Sequence, residues 1–309
     1  MKLLITGGAG CLGSNLIERY IPLGHEICVI DNFSTGKREV VPETDRLTVV
    51  EGSVTSQDLV DSVMENFKPE VIIHSAASYK NPDDWEEDAA TNVLGSIYVT
   101  KAAEKAGVKK IVNFQTALCY GRPEYIPIPV SHPTRPFTSY GISKTAGEAY
   151  MLNSNVNVVS LRLANICGPR LSIGPIPTFY TRLKQGKSCF CSDTIRDFID
   201  IQDFFSLMDI LLLADIETGV YNVSTGQGKS ILDVFNRVAD YLNISDRNVP
   251  IVPPGTDDVA SVVLDPAHTE KIFNWKAKVS FENTIINQLK WYDQFGVNDV
   301  YSHLKSGNK

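Results

Sequence analysis

The chain completes one apolar run, Lys2-Leu3-Leu4-Ile5-Thr6, and at once enters Gly7-Gly8-Ala9-Gly10-Cys11-Leu12-Gly13. Gly7, Gly10 and Gly13 stand at the spacing G-x-x-G-x-x-G, between a predicted strand and a predicted helix. Without Cβ atoms the backbone can turn tightly and come close to a pyrophosphate. The amino terminus of the following helix then offers free N–H groups and the positive end of its dipole to that anion. A glycine motif alone also suits an ordinary tight turn. Its place between strand and helix, at the head of an alternating chain, is the context that marks a dinucleotide loop.

The alternation continues down the chain. Apolar runs at 2–6, 26–30, 47–50, 70–74, 109–114 and 157–163 read as strands, most of them apolar on both faces. Amphipathic stretches at 11–23, 56–67, 83–106 and 139–153 read as helices between them. The predicted class is therefore α/β: a Rossmann-type doubly wound parallel sheet over residues 1–166, rejoined by the segment near 195–225. Residues 167–309 read as a smaller, mixed α/β substrate-binding region. Gly168-Pro169, Gly174-Pro175-Ile176-Pro177 and Pro253-Pro254-Gly255 read as breaks there, with helices predicted at 204–214, 231–242, 267–273 and 281–295.

Composition narrows the class. At 309 residues, 43% hydrophobic and 21% charged, the chain can bury a core without disulfides or metals. A net charge of -7 lacks the basic footprint of a nucleic-acid binder, although backbone amides and a few arginines can still bind phosphate locally. No apolar stretch approaches the ~20 residues of a membrane span, and the apolar start breaks at Gly7, too early for a signal peptide. Cys11, Cys28, Cys119, Cys167, Cys189 and Cys191 are scattered without metal-type spacing. They read as reduced thiols of a cytoplasmic protein that holds no metal.

Two further features carry chemistry. Asp31 ends the second predicted strand, 18 residues after Gly13. A carboxylate there can accept both ribose hydroxyls of adenosine and repels a 2′-phosphate, which favours NAD over NADP. Asp31-Asn32 also suits a plain strand-end turn, and Lys37 and Arg38 keep NADP open. The second feature is Tyr140-Gly-Ile-Ser-Lys144. A four-residue offset puts both side chains on one helix face. A free tyrosine titrates near ~10. A neighbouring ammonium favours the phenolate, making the pair a plausible acid/base device for an alcohol. The same offset arises by chance in many helices, where it is only a surface tyrosine beside a solvated lysine.

Taken together, the glycine loop, Asp31 and Tyr140-x-x-x-Lys144 resemble the extended short-chain dehydrogenase/reductase family. Within it the chain looks most like the NAD-dependent nucleotide-sugar epimerases and dehydratases, and most of all like UDP-sugar 4-epimerases. The resemblance implies NAD contacts at Gly7, Gly10, Cys11 and Leu12. It implies further ones in the adenosine-ribose loop, at Asp31, Asn32, Ser34, Thr35 and Gly36, and at Ser53 and Val54 near adenine. His74-Ser75-Ala76-Ala77 resembles the segment passing the pyrophosphate, so Ser75, Ala76 and Ala77 join the cofactor set. Asn92 matches the family's helix asparagine, and Leu163, with Tyr140 and Lys144, falls beside the nicotinamide. For the nucleotide sugar the resemblance implies Tyr79, Thr116, Asn165, Arg196 and Asp258.

Thr116 occupies the family's Ser/Thr place and completes a catalytic set with Tyr140 and Lys144. The family's dehydratases follow that threonine with an Asp-Glu pair that works at C5 and C6; here Ala117 and Leu118 follow, and neither can move a proton. Epimerisation by transient oxidation at C4 therefore fits best. An NAD(P)H-dependent nucleotide 4-keto-sugar reductase or reductase-epimerase would use the same residues, and a non-catalytic NAD-binding regulatory protein could share the fold. The chain departs from the family at Ser53, where an aspartate is usual, at Leu163, where some epimerases carry an aromatic, near Gly255, where an arginine is usual, and in the short stretch 172–193. The family's homodimers pair helices equivalent to 83–106 and 139–153 into a four-helix bundle, which the resemblance implies here as well.

Overall fold

Strand β1 (Lys2–Thr6) buries every residue but its first, as a strand covered on both faces must. The structure, a computed structural model, describes residues 1–245, 247–298 and 300. After β1 come α1 (Cys11–Tyr20), β2 (Glu26–Asp31), β3 (Leu47–Glu51), α2 (Gln57–Phe67) and β4 (Val71–His74). A helical run follows, made of α3 (Trp85–Asp88), a π-helical segment (Ala89–Gly95) and α4 (Ser96–Ala106). Then come β5 (Lys110–Thr116), α5 (Ser139–Leu152) and β6 (Val158–Leu163). The single helix predicted over 83–106 is thus interrupted by a π segment, a feature that hydrophobic periodicity does not reveal and that recurs at functional sites.

The rest of the chain contributes β7 (Asn165–Cys167), α6 (Pro175–Lys184), β8 (Cys191–Ser192), β9 (Ile195–Arg196), β10 (Phe198–Asp200), α7 (Ile201–Leu213) and β11 (Gly219–Val223). It closes with β12 (Lys229–Ser230), α8 (Ile231–Tyr241), β13 (Ile251–Val252), β14 (Ser261–Val262), α9 (Ala267–Phe273) and α10 (Phe281–Phe295). Helix α6 corrects the reading of 174–177 as a break. Pro175 stands at the first helical position, where its missing N–H has no intrahelical partner to lose.

Seven strands form one parallel sheet in the order β11-β6-β5-β4-β1-β2-β3. Strand β1 pairs with β2 on one side and β4 on the other, in register Leu3↔Ile27 and Leu3↔Val71. The strand order reverses at β1, and the crevice at the carboxyl ends of β1 and β4 is where such sheets take their ligands. One compact unit holds this crevice: Met1–Cys119, Pro136–Arg162 and Asp209–Tyr221. In its core, Leu4, Ile72, Ile111 and Val158 of the sheet pack with Val60 and Met64 of α2 and Val99 and Ala103 of α4. Full burial of such a side chain contributes about 1.5–3 kcal/mol.

The second unit comprises Tyr120–Arg135, Leu163–Met208 and the chain from Asn222 onward. Its small sheets are β12-β9-β14, β10-β7 and β13-β8. Phe179 of α6, Phe235 of α8 and Leu289 of α10 share its core, with the Phe179 and Phe235 rings edge to face at 5.4 Å. Among the described residues no helix is long and apolar enough to cross a membrane, and no group of three metal-ligating side chains occurs.

Candidate active site

The glycine loop is shaped by contacts that tolerate no side chain. Gly7 has φ +70°, and a Cβ there would sit 2.8 Å from the backbone N and Cα of Ala76. A Cβ at Gly13 would strike the Gly7 carbonyl oxygen and the Gly8 Cα. Helix α1 starts at Gly10 with no side-chain cap and no acidic residue in its first turn. Its leading N–H groups and positive dipole end are therefore available to an anion. This cradle fits the pyrophosphate of a dinucleotide.

Asp31 is buried at the end of β2. Its Oδ2 accepts from Ala9 N (2.8 Å) and its Oδ1 from Phe33 N (2.8 Å). It thus ties the glycine loop to the turn that follows β2, while each oxygen keeps a lone pair for a ribose hydroxyl. Around it Asn32, Ser34 and Thr35 are exposed, and Gly36 lies close against Ala9. Ser53 Oγ accepts from the Thr55 amide (3.2 Å) and hydroxyl (2.8 Å). Val54 is turned into the core, so only its backbone is free for a ligand.

Beyond β4, Ser75 Oγ donates to Thr6 O (2.7 Å) and Ala76 N donates to Thr6 Oγ1 (3.3 Å), which binds this segment to the loop beside it. Behind them lies His74, fully buried. Its Nδ1 meets Thr6 Oγ1 at 2.8 Å, and its Nε2 meets Ser96 Oγ at 3.2 Å. Ser96 Oγ donates to Asn92 O (2.7 Å), so it accepts from an Nε2–H imidazole. Burial, aided by the Lys144 charge, pushes His74 down to about 3. The unfolded chain therefore binds this proton first on acidification. The stability that neutral His74 contributes is complete above its ordinary 6.5 and is lost as pH falls toward about 3. Thermal melts of His74→Gln should fall less steeply than those of the wild-type chain across that window; equal slopes would contradict this assignment.

Asn92, in the π segment, donates from Nδ2 to Ser78 O (2.9 Å) and Ser143 Oγ (3.0 Å) and accepts at Oδ1 from Ser78 N (2.9 Å). It clamps the chain after β4 to α5. Helix α5 is capped by Thr138, whose Oγ1 accepts from Gly141 N (3.1 Å), and this sets Tyr140 and Lys144 one turn apart on one face. Thr116 stands at the end of β5, where its hydroxyl favours the Tyr140 phenolate, and the Tyr79 ring lies 6.1 Å from that of Tyr140. Tyr79, Thr116, Tyr140 and Lys144 therefore meet at the carboxyl edge of the sheet.

Their electrostatics correct one expectation. Burial raises the Tyr140 phenol above its ordinary value, with Tyr79 and Asp88 acting in the same direction; only the Thr116 hydrogen bond lowers it. Lys144 does not supply the lowering read from the sequence. Burial pulls Lys144 itself down to about 8, against a favourable pull from Glu148. In a buried wall desolvation outweighs the pair's mutual help.

Glu148 continues the same face of α5 and is held in turn. Arg162 Nη2 donates to its Oε2 (2.7 Å), Arg162 Nε to Oε1 (3.3 Å) and Ser160 Oγ to Oε1 (2.6 Å). Both charged side chains are under a tenth exposed. Arg162→Met should cost about 3–5 kcal/mol in a denaturant titration, because it leaves Glu148 buried without its counter-charge. Adding Glu148→Gln should recover part of the loss, and a Met variant of unchanged midpoint would refute the pairing argument.

In the second unit, β9 and β10 flank Asp197. Arg196 pairs its guanidinium with Asp258, which also accepts from Val259 N (2.8 Å). Asp197 turns the other way and accepts from Thr225 N (3.1 Å), Thr225 Oγ1 (2.6 Å) and Gly226 N (2.8 Å), fixing the turn after β11. Asn165 is exposed on β7 and donates from Nδ2 to Asp197 O (2.9 Å); Leu163 ends β6 half-buried. Sequence reading missed Arg122, whose Nη2 donates to Thr256 O (2.9 Å) and which brings a second guanidinium to the arginine-free segment around Gly255. It also missed Gln115, a buried amide in a strand whose first six residues are all buried.

The sequence model of the NAD dependent epimerase/dehydratase family matches residues 3–224. The chain belongs to this family. It is 30% identical to the UDP-glucose 4-epimerase of Mycolicibacterium smegmatis, over 94% of this chain and 98% of that one. Among solved structures, WbmG of Bordetella bronchiseptica in complex with NAD superposes with a TM-score of 0.94 at 64% identity, covering 99% of this chain and 98% of WbmG. WbmG has also been solved with NAD and UDP together, at a TM-score of 0.93. The UDP-glucose 4-epimerase of Thermotoga maritima with UDP-glucose gives 0.87 at 25% identity, over 95% and 99% of the two chains. Family membership makes this chain an NAD-dependent nucleotide-sugar epimerase/dehydratase, and the glycine cradle and Asp31 suit the cofactor named in the family's description.

Proposed function

We propose that the chain is a UDP-sugar 4-epimerase that works by transient oxidation at C4. The observation that carries this reading is the step from Thr116 to Ala117 and Leu118. Thr116 engages Tyr140, whereas the two residues after it are apolar, and a removal of water would need an acid and a base there. The UDP moiety is supported by the UDP found with WbmG and by the similarity to UDP-glucose 4-epimerases.

NAD⁺, when bound, supplies a reversible hydride acceptor and a positive charge beside the phenol. Tyr140 takes the proton of the sugar 4-hydroxyl as C4 is oxidised. Its raised affinity for protons means that the phenolate depends on positive charge brought into the site, which the cofactor would provide. Thr116 holds the sugar oxygen in line. The 4-keto sugar turns about its bond to the diphosphate and presents its other face; reduction of C4 on that face, with Tyr140 returning the proton to the 4-oxygen, inverts the centre. Arg196 and Asn165 anchor the phosphates, Asp258 the uridine ribose, and Tyr79 walls the sugar. On the cofactor side, Gly7, Gly10, Cys11 and Leu12 take the pyrophosphate, Asp31, Asn32, Ser34, Thr35 and Gly36 the adenosine ribose, Ser53 and Val54 the adenine. Ser75, Ala76, Ala77, Asn92 and Leu163 shape the nicotinamide end.

The chain would act as a homodimer through the helical stretches 83–106 and 139–153; Leu94 of the first and Ile142 and Tyr150 of the second expose apolar surface. Its six free cysteines suit the reducing cytoplasm. Stoichiometry separates the epimerase from a 4-keto-sugar reductase. The purified enzyme should interconvert UDP-sugars with no added NADH and no net change in NADH absorbance; a requirement for one NAD(P)H per turnover would establish the reductase instead.

A further inference from the structure

One buried side chain joins the strand of the candidate site to its helix. Gln115 is 2% exposed and stands next to last on β5. The pairing of β4 with β5 ends at His74↔Asn113, so Phe114, Gln115 and Thr116 run past the end of β4. There the Gln115 Oε1 accepts from Thr116 N (2.7 Å), and its Nε2 donates to the Lys144 carbonyl oxygen (2.9 Å). One planar amide thus holds the backbone of both residues. Tyr140 follows from Lys144 one helical turn back on α5, and Thr116 is the last residue of β5. A primary amide is costly in an apolar strand unless its atoms are bonded, and here both ends are.

We propose that Gln115 is a positioning residue for the proton transfer, setting the separation between Thr116 on β5 and the Tyr140–Lys144 face of α5. The inference rests on the epimerase reading of this site. Gln115 touches neither reacting atom; it acts through the two backbones it joins. A purely structural amide would stabilise the fold without governing the chemical step, and the two roles differ in what substitution does to kcat alone.

The test compares the full-length enzyme with Gln115→Met, which keeps the length and loses both hydrogen bonds, and Gln115→Glu, which keeps the acceptor for Thr116 and loses the donor to Lys144. Both should retain bound NAD and the wild-type KM for the UDP-sugar. Their kcat should fall on the order of tenfold to a hundredfold, as small displacements of catalytic groups do. The isotope effect from deuterium at the sugar C4 should rise, because hydride transfer becomes limiting. A kcat within twofold of wild type in the variants that fold, or a loss that merely tracks lost NAD or lost folded protein, would overturn the proposal. Should the wild-type enzyme turn over no UDP-sugar, the epimerase reading fails, and the Gln115 claim is read from crystal structures of the wild type and Gln115→Met instead. The separation of Thr116 from the Tyr140–Lys144 face of α5 should differ between them, because both bonds of the amide are gone. An unchanged separation would sink it.

Discussion

Tyr140→Phe should lower UDP-sugar interconversion by about 10²–10⁴-fold, the range that a positioned acid/base group contributes. The substitution removes one oxygen, and with it the group proposed to carry the 4-hydroxyl proton. The ring remains against Tyr79, and α5 keeps its Thr138 cap, so the fold should hold. Cofactor content after purification should match that of the wild type, because the pyrophosphate cradle lies on the β1–α1 loop. Lost activity with full NAD content assigns the defect to chemistry. Full retention of kcat would remove Tyr140 from the mechanism.

The second large effect is expected at Gly7. Gly7→Ala places a Cβ at φ +70°, which costs roughly 1–2 kcal/mol for a residue with a side chain. The same Cβ lies 2.8 Å from the Ala76 backbone, which cannot rotate away. The loop and the segment after β4 must move apart, and that loop carries the pyrophosphate cradle. The variant should leave purification without stoichiometric NAD, with a lower melting temperature and with activity restored only in part by added NAD. Stoichiometric NAD released from denatured Gly7→Ala protein would refute the close-approach argument.

Much of this was legible before any fold was seen, because it is local. The apolar runs of β1, β2, β4, β5 and β6 follow from burial under helices, and the G-x-x-G-x-x-G spacing needs only the strand and helix beside it. Tyr140 and Lys144 share a face by helical geometry alone. What escaped the reading depends on distant residues or on competing energies. Helix α6 was hidden because prolines that break a helix interior also open a helix, and only position decides which. Strand β11 was anticipated only as part of the segment near 195–225; its bounds, Gly219–Val223, are set by pairing at the sheet edge. The π segment has no compositional signature. The Asn92 clamp spans 14 residues to Ser78 and 51 to Ser143, and the Gln115 bridge spans 29 to Lys144, none of which spacing reveals. The direction of the Tyr140 shift was misread because the lysine's presence is visible in sequence and the depth of burial is not.

Transient oxidation at C4 is tested most directly by supplying UDP-glucose deuterated at C4 to the NAD-loaded enzyme in ordinary water and following both epimers by NMR. The proposed mechanism predicts that the new epimer appears with deuterium still at C4, since the hydrogen removed there is the one returned. Product carrying a C4 proton drawn from solvent, or product formed equally well by the Tyr140→Phe enzyme, would contradict it.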